Sequence, residues 1–266
     1  MAFTHAADDI TLGRGELYFF PFLAGTTTPS SDGRYFGNTP GFNLSASVEK
    51  LAHFSADRGL KVKDRNVTLS VDYTGTMECD NINADNLALF FMGGKSTVTQ
   101  GALTGEEETF ASGTLSAGAY IQMGVTNANP QGVRNISSVV AVLGVTTLTL
   151  GTDYEVDASA GQIHLLGGVT QSELTGPSGT LVVTYDVAAT TRERVISAGT
   201  EAKGVLKLVS FNPEGTKRDY LLPSVTITPN GDFALKGDDW QVMSFNLEVL
   251  AKNSTTAAVY IDGRPA

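Results

Sequence analysis

The side chains able to do chemistry in this sequence are few and scattered. The three histidines, His5, His53 and His164, lie far apart along the 266 residues and lack the short paired spacing that sets two imidazoles on one metal. They read as surface or strand histidines, and no metal site is expected. Gly13-Arg14-Gly15 is a fragment of a glycine fingerprint, but no helical pattern follows it to offer an N-terminus to a phosphate, so a turn or bulge is the reading it supports. No G-x-S-x-G elbow occurs, and the carboxylates fall in turns and on strand faces rather than as a pair dividing acid and base roles. Asp153 and Asp157 have oxygens that calcium accepts, yet Asp beside Gly and Ser is first a turn former. Cys79 is the single cysteine; it excludes an intramolecular disulfide and, inside an alternating stretch, reads as a small buried hydrophobe. The sequons at Asn66, Asn135 and Asn253 carry meaning only in a secretory pathway. No catalytic residue and no cofactor is expected, and the chain does not read as an enzyme.

The elements that would hold these residues are strands. With 41% hydrophobic and 17% charged residues, the chain can bury one full core and has room for a second. Its 29 glycines, with abundant Thr, Ser and Val, are the palette of short strands and tight turns, so an all-β protein is expected. A net charge of −10 argues against gripping a phosphate backbone, which requires clustered Lys and Arg. The first ten residues carry His5, Asp8 and Asp9 where an export signal needs a basic start and an apolar run. No segment approaches the roughly 20 apolar residues of a membrane span, so no membrane partner is expected.

The first strand candidate is 12–22. Residues 24–40 then read as a long polar loop, too long to be idle in a compact domain, and hence as an assembly arm. From Phe42 the pattern alternates, Phe42, Leu44, Ala46 and Val48 against Asn43, Ser45, Ser47 and Glu49. In 67–80, Val67, Leu69, Val71, Tyr73, Met77 and Cys79 share one face, and Thr68, Ser70, Asp72, Thr74, Thr76, Glu78 and Asp80 share the other. One short helix is expected over 84–92: Asn83 caps it, Leu87, Phe90 and Phe91 form its apolar stripe, and Gly93-Gly94 ends it in a left-handed turn. Residues 95–108, with Glu106-Glu107-Glu108, read as a linker. A second β-rich region follows, with strand candidates at 139–143, 147–150, 154–156, 163–166 and 181–185. The earlier style then resumes, ending in a strand over 240–251 whose Met243, Phe245, Leu247 and Val249 oppose Ser244, Asn246 and Glu248.

The order of these elements is similar to that of the tail tube proteins of long-tailed, non-contractile phages. The resemblance rests on a long first arm, alternating strands, the helix Ala84-Asp85-Asn86-Leu87-Ala88-Leu89-Phe90-Phe91-Met92-Gly93, then Leu222-Pro223-x-Val225-x-Ile227, Pro229-x-Gly231-Asp232 and a terminal strand. It covers 13–92 and 203–251. The middle, with Gly151-Thr152-Asp153-Tyr154-x-Val156-Asp157 and Gly161-x-Ile163, resembles immunoglobulin-like modules of phage virions.

The resemblance implies a tail-tube-type β-sandwich or partial barrel flanked by an α-helix over 1–104 and 191–266, with a small β-sandwich inserted at 105–190. It implies a homo-oligomer of hexameric stacked rings in the virion, built in the host bacterial cytoplasm, with tape measure, tail tip and terminator proteins as partners. Genomic DNA would transit the bore without specific binding. On that reading Asp72, Thr74, Thr76, Glu78, Asp80, Ser244, Asn246 and Glu248 face the lumen. Thr26, Pro29, Asp32, Arg34 and Tyr35 belong to the ring-stacking arm, and Leu87, Phe90 and Phe91 brace the sheet. The rival readings are a tail terminator or contractile-system tube subunit and, from another class, a carbohydrate-binding or hydrolytic host-surface β-sandwich acting as a monomer.

Overall fold

The structure, a computed structural model, describes residues 10–56 and 59–264; His5, Asp8 and Asp9 lie outside them. Strands hold 51% of the chain and helices 5%, which makes the protein all-β. Two compact units are present, and the second, Ser96–Arg194, interrupts the first. The chain runs through β1 (Gly15–Pro21), β2 (Arg34–Tyr35), β3 (Gly41–Ser55), β4 (Val62–Cys79) and α1 (Ala84–Phe90), and crosses into the second unit along β5 (Gly94–Gln100). There it forms β6 (Leu103–Phe110), β7 (Tyr120–Gln122), β8 (Ile136–Leu143), β9 (Thr146–Thr147), β10 (Tyr154–Asp157), β11 (Gln162–Leu165), α2 (Gln171–Thr175) and β12 (Leu181–Val187), and it returns along β13 (Thr190–Ile196). The first unit is completed by β14 (Ala202–Ser210), β15 (Arg218–Pro229), β16 (Met243–Val249) and β17 (Tyr260–Gly263). The expected linker 95–108 is therefore β5 and most of β6, because Glu106, Glu107 and Glu108 pair with Tyr185, Thr184 and Val183. A charged run tolerates a strand when one side of that strand faces water.

Eight strands of the first unit form one antiparallel sheet in the order β2-β1-β14-β15-β16-β4-β3, with β17 beside β15. Pro223 lies inside a single long strand, β15. Its register with β14 shifts between Gly204 and Leu206, and this places Pro223, which has no N–H to give, at an irregularity in the ladder. One sheet face carries the core: Leu17, Phe19, Leu206, Leu222, Ile227, Phe245, Leu247 and Met77 are nearly inaccessible to solvent. The last strand is shorter than expected, since Trp240 lies outside β16 and is 95% exposed.

Helix α1 lies on this core. Phe90 makes an edge contact with Phe245 at 5.9 Å between centroids and packs on Phe233 at 5.5 Å. The Asn83 carboxamide accepts from the Asn86 N–H at 2.8 Å, the N-cap read from the sequence. The other end differs from expectation. Met92, at φ 49°, takes the left-handed position; its N–H bonds to Leu89 O and that of Gly93 to Ala88 O, a Schellman arrangement. Gly93 serves another purpose, because a Cβ there would lie 1.9 Å from the Ile196 carbonyl oxygen.

Strand β17, unforeseen from the sequence, is pinned by a forked ion pair in which Arg264 Nε and Nη2 donate to Asp219 at 2.8–3.1 Å. The guanidinium holds the Asp219 carboxyl below the usual range, with the Ser210 N–H assisting. A depressed carboxylate stabilises the folded state above its unfolded pKa of about 3.9 and ceases to do so as pH falls through the lower folded value. Amide exchange in β17, corrected for intrinsic rates, is expected to stay flat from pH 7 to 5 and to accelerate in stronger acid. Asp219→Asn should remove that dependence; a variant retaining it would show that another group is responsible.

In the second unit, β10-β11-β7 and β6-β12-β8-β9 are separate sheets. Ile163, Leu165 and Tyr154 of one and Ala141, Leu181, Val183 and Tyr185 of the other share a single core, so the unit is a sandwich. It holds a second helix, α2, where one was expected in the whole chain. A complete capping box between Thr170 and Glu173 starts it, and Leu174 anchors it in the core. Tyr185 and the Gly124 N–H both donate to Glu108 Oε1 at 2.5 Å, and burial, then this carboxylate, pushes the phenol pKa up.

Candidate assembly surface

The sheet face opposite the core carries the polar residues read from the sequence. Register pairs Glu78 with Ser244, Thr76 with Asn246 and Thr74 with Glu248. Asn43 and Ser45 of β3 extend two of these rows, and Thr228 and Thr226 of β15 extend them on the other side. Thr74, Thr76, Glu78, Asn246 and Glu248 are exposed and Ser244 is half-buried. Asp72 lies on the same face opposite Ser47, beyond the end of β16. Asp80 does not belong to this face. It follows the last residue of β4, is partly buried and accepts from the Asn38 carboxamide. Among the described residues no lysine or arginine forms an ion pair with Asp72, Glu78 or Glu248. Lys203 shares the Glu248 row and is paired to Glu201 at 3.1 Å.

Next to this face stands a feature whose extent the sequence did not reveal. β3 and β4 have 15 and 18 residues, where strands in globular domains usually run about five or six. β16 stops pairing with β4 at Tyr73, so among the described residues β4 from Asp72 back to Val62 has β3 on one side and an open edge on the other. β3 ends the sheet, so its outer edge is open too. Leu51 (61%), Phe54 (51%) and Val67 (59%) are exposed on this two-stranded ribbon, as are Val48, Val62, Leu69 and Val71. The strict alternation expected for 67–80 fails at its start. A register shift opposite Glu49/Lys50 leaves Leu69 without a direct partner and sets Val67 against Leu51, so Val67 joins the face of Glu49, not that of Val71. Apolar side chains therefore occur on both faces of the ribbon.

The expected arm is folded as a hairpin against β1. Thr26 and Asp32 are exposed and Pro29 is half-buried, bridged to Phe22. Arg34 and Tyr35 form β2 against Phe19 and Tyr18, so the segment returns along β1 as a hairpin. The sequence reading missed its anchor, Phe36, which is fully buried, because the adjacent aromatics Tyr35 and Phe36 among Gly, Ser, Thr and Pro leave no periodic signal to say which of them turns inward. Arg34 stacks over Phe36 at 4.6 Å and its Nη1 donates to Asn86 Oδ1 at 2.8 Å. Burial pushes the guanidinium pKa down, and its Nη2 is buried with no hydrogen-bond partner among the described residues. Of the expected brace, Phe90 is in the core and Leu87 packs partly on it, whereas Phe91 is 42% exposed at the helix C-cap. The residue that ties helix to sheet is Asn86, 0% exposed. Its Nδ2 donates to Phe36 O and Asn81 O at 2.8 Å each and lies 3.3 Å from Cys79 Sγ.

An open cleft of the first unit, about 810 Å³, lies between the 11–15 segment, the start of β3 and β14/β15. Among the described residues its charged lining groups are Arg14 and Arg218, and no carboxylate, histidine or cysteine lines it. Among the described residues no group of three or more His, Cys, Asp or Glu is gathered as metal ligands would be. No helix among them is long and apolar enough to cross a membrane.

A family model described as "Protein of unknown function UCP028589" matches residues 11–260, and the chain belongs to that family. The match runs through both units. No curated protein matches the chain.

Proposed function

We propose that this chain is the structural subunit of a phage tail tube, a homo-oligomer whose stacked rings enclose a hydrated, acidic bore through which DNA passes without being held. The observation that carries the reading is the β3–β4 ribbon: a long hairpin with two open edges and apolar residues on both faces, continuous with a sheet face of hydroxyls and carboxylates. An exposed ribbon of this kind invites edge pairing, and a ring in which each ribbon joins the next copy's sheet removes the hazard. The row Ser45–Thr74–Glu248 and its neighbours would then line the bore, where carboxylates repel phosphates and hydroxyls hold water. Tape measure, tail tip and terminator proteins are the partners this role requires, in a virion assembled in the bacterial cytoplasm. The function is mechanical, with no chemistry at the wall.

Electron microscopy of the full chain concentrated at low salt tests the reading. Hollow rings or tubes of regular width are expected. A chain that stays monomeric by sedimentation at millimolar concentration would overturn it.

One feature favours the second reading, a glycan-binding sandwich. Tyr120, 74% exposed, stacks flat on His164 at 4.0 Å on the three-stranded sheet, a surface on which a sugar ring can lie. Glycan binding by a monomer that forms no tubes would be its signature.

A further inference from the structure

The second unit, Ser96–Arg194, contains nine Asp and Glu residues, no lysine, and three arginines, Arg134, Arg192 and Arg194. All three arginines converge on one loop. Arg192 and Arg194 alternate along β13, and their Nη2 atoms donate to the same oxygen, Asn129 Oδ1, at 2.9 and 2.7 Å. Arg192 also reaches Gly132 O, and Arg194 reaches Ala128 O. Arg134 uses Nη1 alone, toward Gln131, Val133 and Ala160 carbonyls. Every acceptor is neutral, and none of the three arginines has a carboxylate within ion-pair distance among the described residues. The half-buried Arg192 is disfavoured as a cation by burial and then by Arg134 and Arg194. Asp157 feels Arg134 last, after the bonds of its own turn.

Concentrating every cation of an acidic unit at one place, against neutral oxygens, leaves a charge that a carboxylate would relieve by forked hydrogen bonds. Among the described residues Arg134 donates from Nη1 alone, which leaves Nε and Nη2 for such a fork. The same unit offers the complement: Glu106 and Glu107 are exposed on β6, an outer strand of the four-stranded sheet. We propose that the Arg134/Arg192/Arg194 cluster is a docking face for the acidic edge strand β6 of a second copy, through Glu106 and Glu107. The contact is head-to-tail, so each copy gives one face and receives on the other. It does not depend on the tube reading, because the ribbon belongs to the first unit.

Sedimentation velocity of the full chain at low and high salt, on wild type and two charge reversals, tests the proposal. Arg192→Glu/Arg194→Glu and Glu106→Arg/Glu107→Arg should each weaken self-association about tenfold or more at low salt, and an equimolar mixture of the two should restore it. Because the arginines also hold the 126–134 loop, far-UV circular dichroism must match wild type; the exposed glutamate reversal gives an independent arm if the arginine reversal misfolds. Unchanged association in the glutamate reversal overturns the proposal. So does heparin binding that is lost in the arginine reversal while self-association is unaffected, which would assign the face to another polyanion. Loss of tubes in a Leu51/Phe54 ribbon variant that keeps this salt-sensitive contact would separate the two readings.

Discussion

Asn86→Ala is expected to lower the unfolding free energy by about 3–5 kcal/mol, since each buried polar group stripped of its partner costs roughly 1–3 kcal/mol. Three groups lose a bond at once, although Asn81 O keeps the Asn83 N–H and Phe36 O the Cys79 thiol. The carbonyls of Phe36 and Asn81 lose the Nδ2 donor, and the Arg34 guanidinium loses Oδ1. Arg34 is the sensitive member, because one of its nitrogens is already buried without a partner, and a second loss leaves a desolvated cation beside an aromatic ring. Urea unfolding of the full chain measures the effect as a shift in midpoint. Asn86→Asp keeps the shape and the acceptor for Arg34 but turns the donor side into an oxygen facing two carbonyls, so it should fall between wild type and alanine. A midpoint for Asn86→Ala within error of wild type would show that the hub is not what joins helix, hairpin and sheet.

The second large effect concerns assembly. Leu51→Asp with Phe54→Asp places carboxylates on opposite faces of the ribbon, at positions 61% and 51% exposed in the single chain. Such surface changes usually alter stability by less than about 0.5 kcal/mol, so the monomer should fold and melt as before. If the ribbon is covered by neighbouring copies, each substitution buries a charge in an apolar contact, and rings and tubes should vanish from micrographs. Tubes of normal width from the double variant would remove the ribbon from the interface. A lowered melting temperature in the monomer would mean instead that these side chains support the fold itself.

The readable parts of this molecule were those written in local periodicity. Alternation in 73–79 and 243–249 assigned core and solvent faces that the register later paired row by row, whereas Leu44, Ala46 and Val48 of the alternating 42–49 stay exposed; Asn83 marked the helix start, because a side chain's place on a pleat or first turn depends on a few neighbours. The misassigned parts depend on partners distant in sequence. Glu106-Glu107-Glu108 reads as linker until β12 lies beside it; Val67 changes face because of a shift in pairing with β3; Phe36 and Asn86 meet only when the hairpin and helix close over the sheet. Nor can the sequence show that β4 outruns β16 by 11 residues, from Val62 to Asp72, which creates the open ribbon. Composition and alternation by themselves settled that the chain is all-β, with one acidic, hydroxyl-rich face. Tertiary structure decided which strands stay unpaired, which polar groups are buried together and where the second unit's only cations gather, because each is a relation between segments whose contact energy no single segment carries.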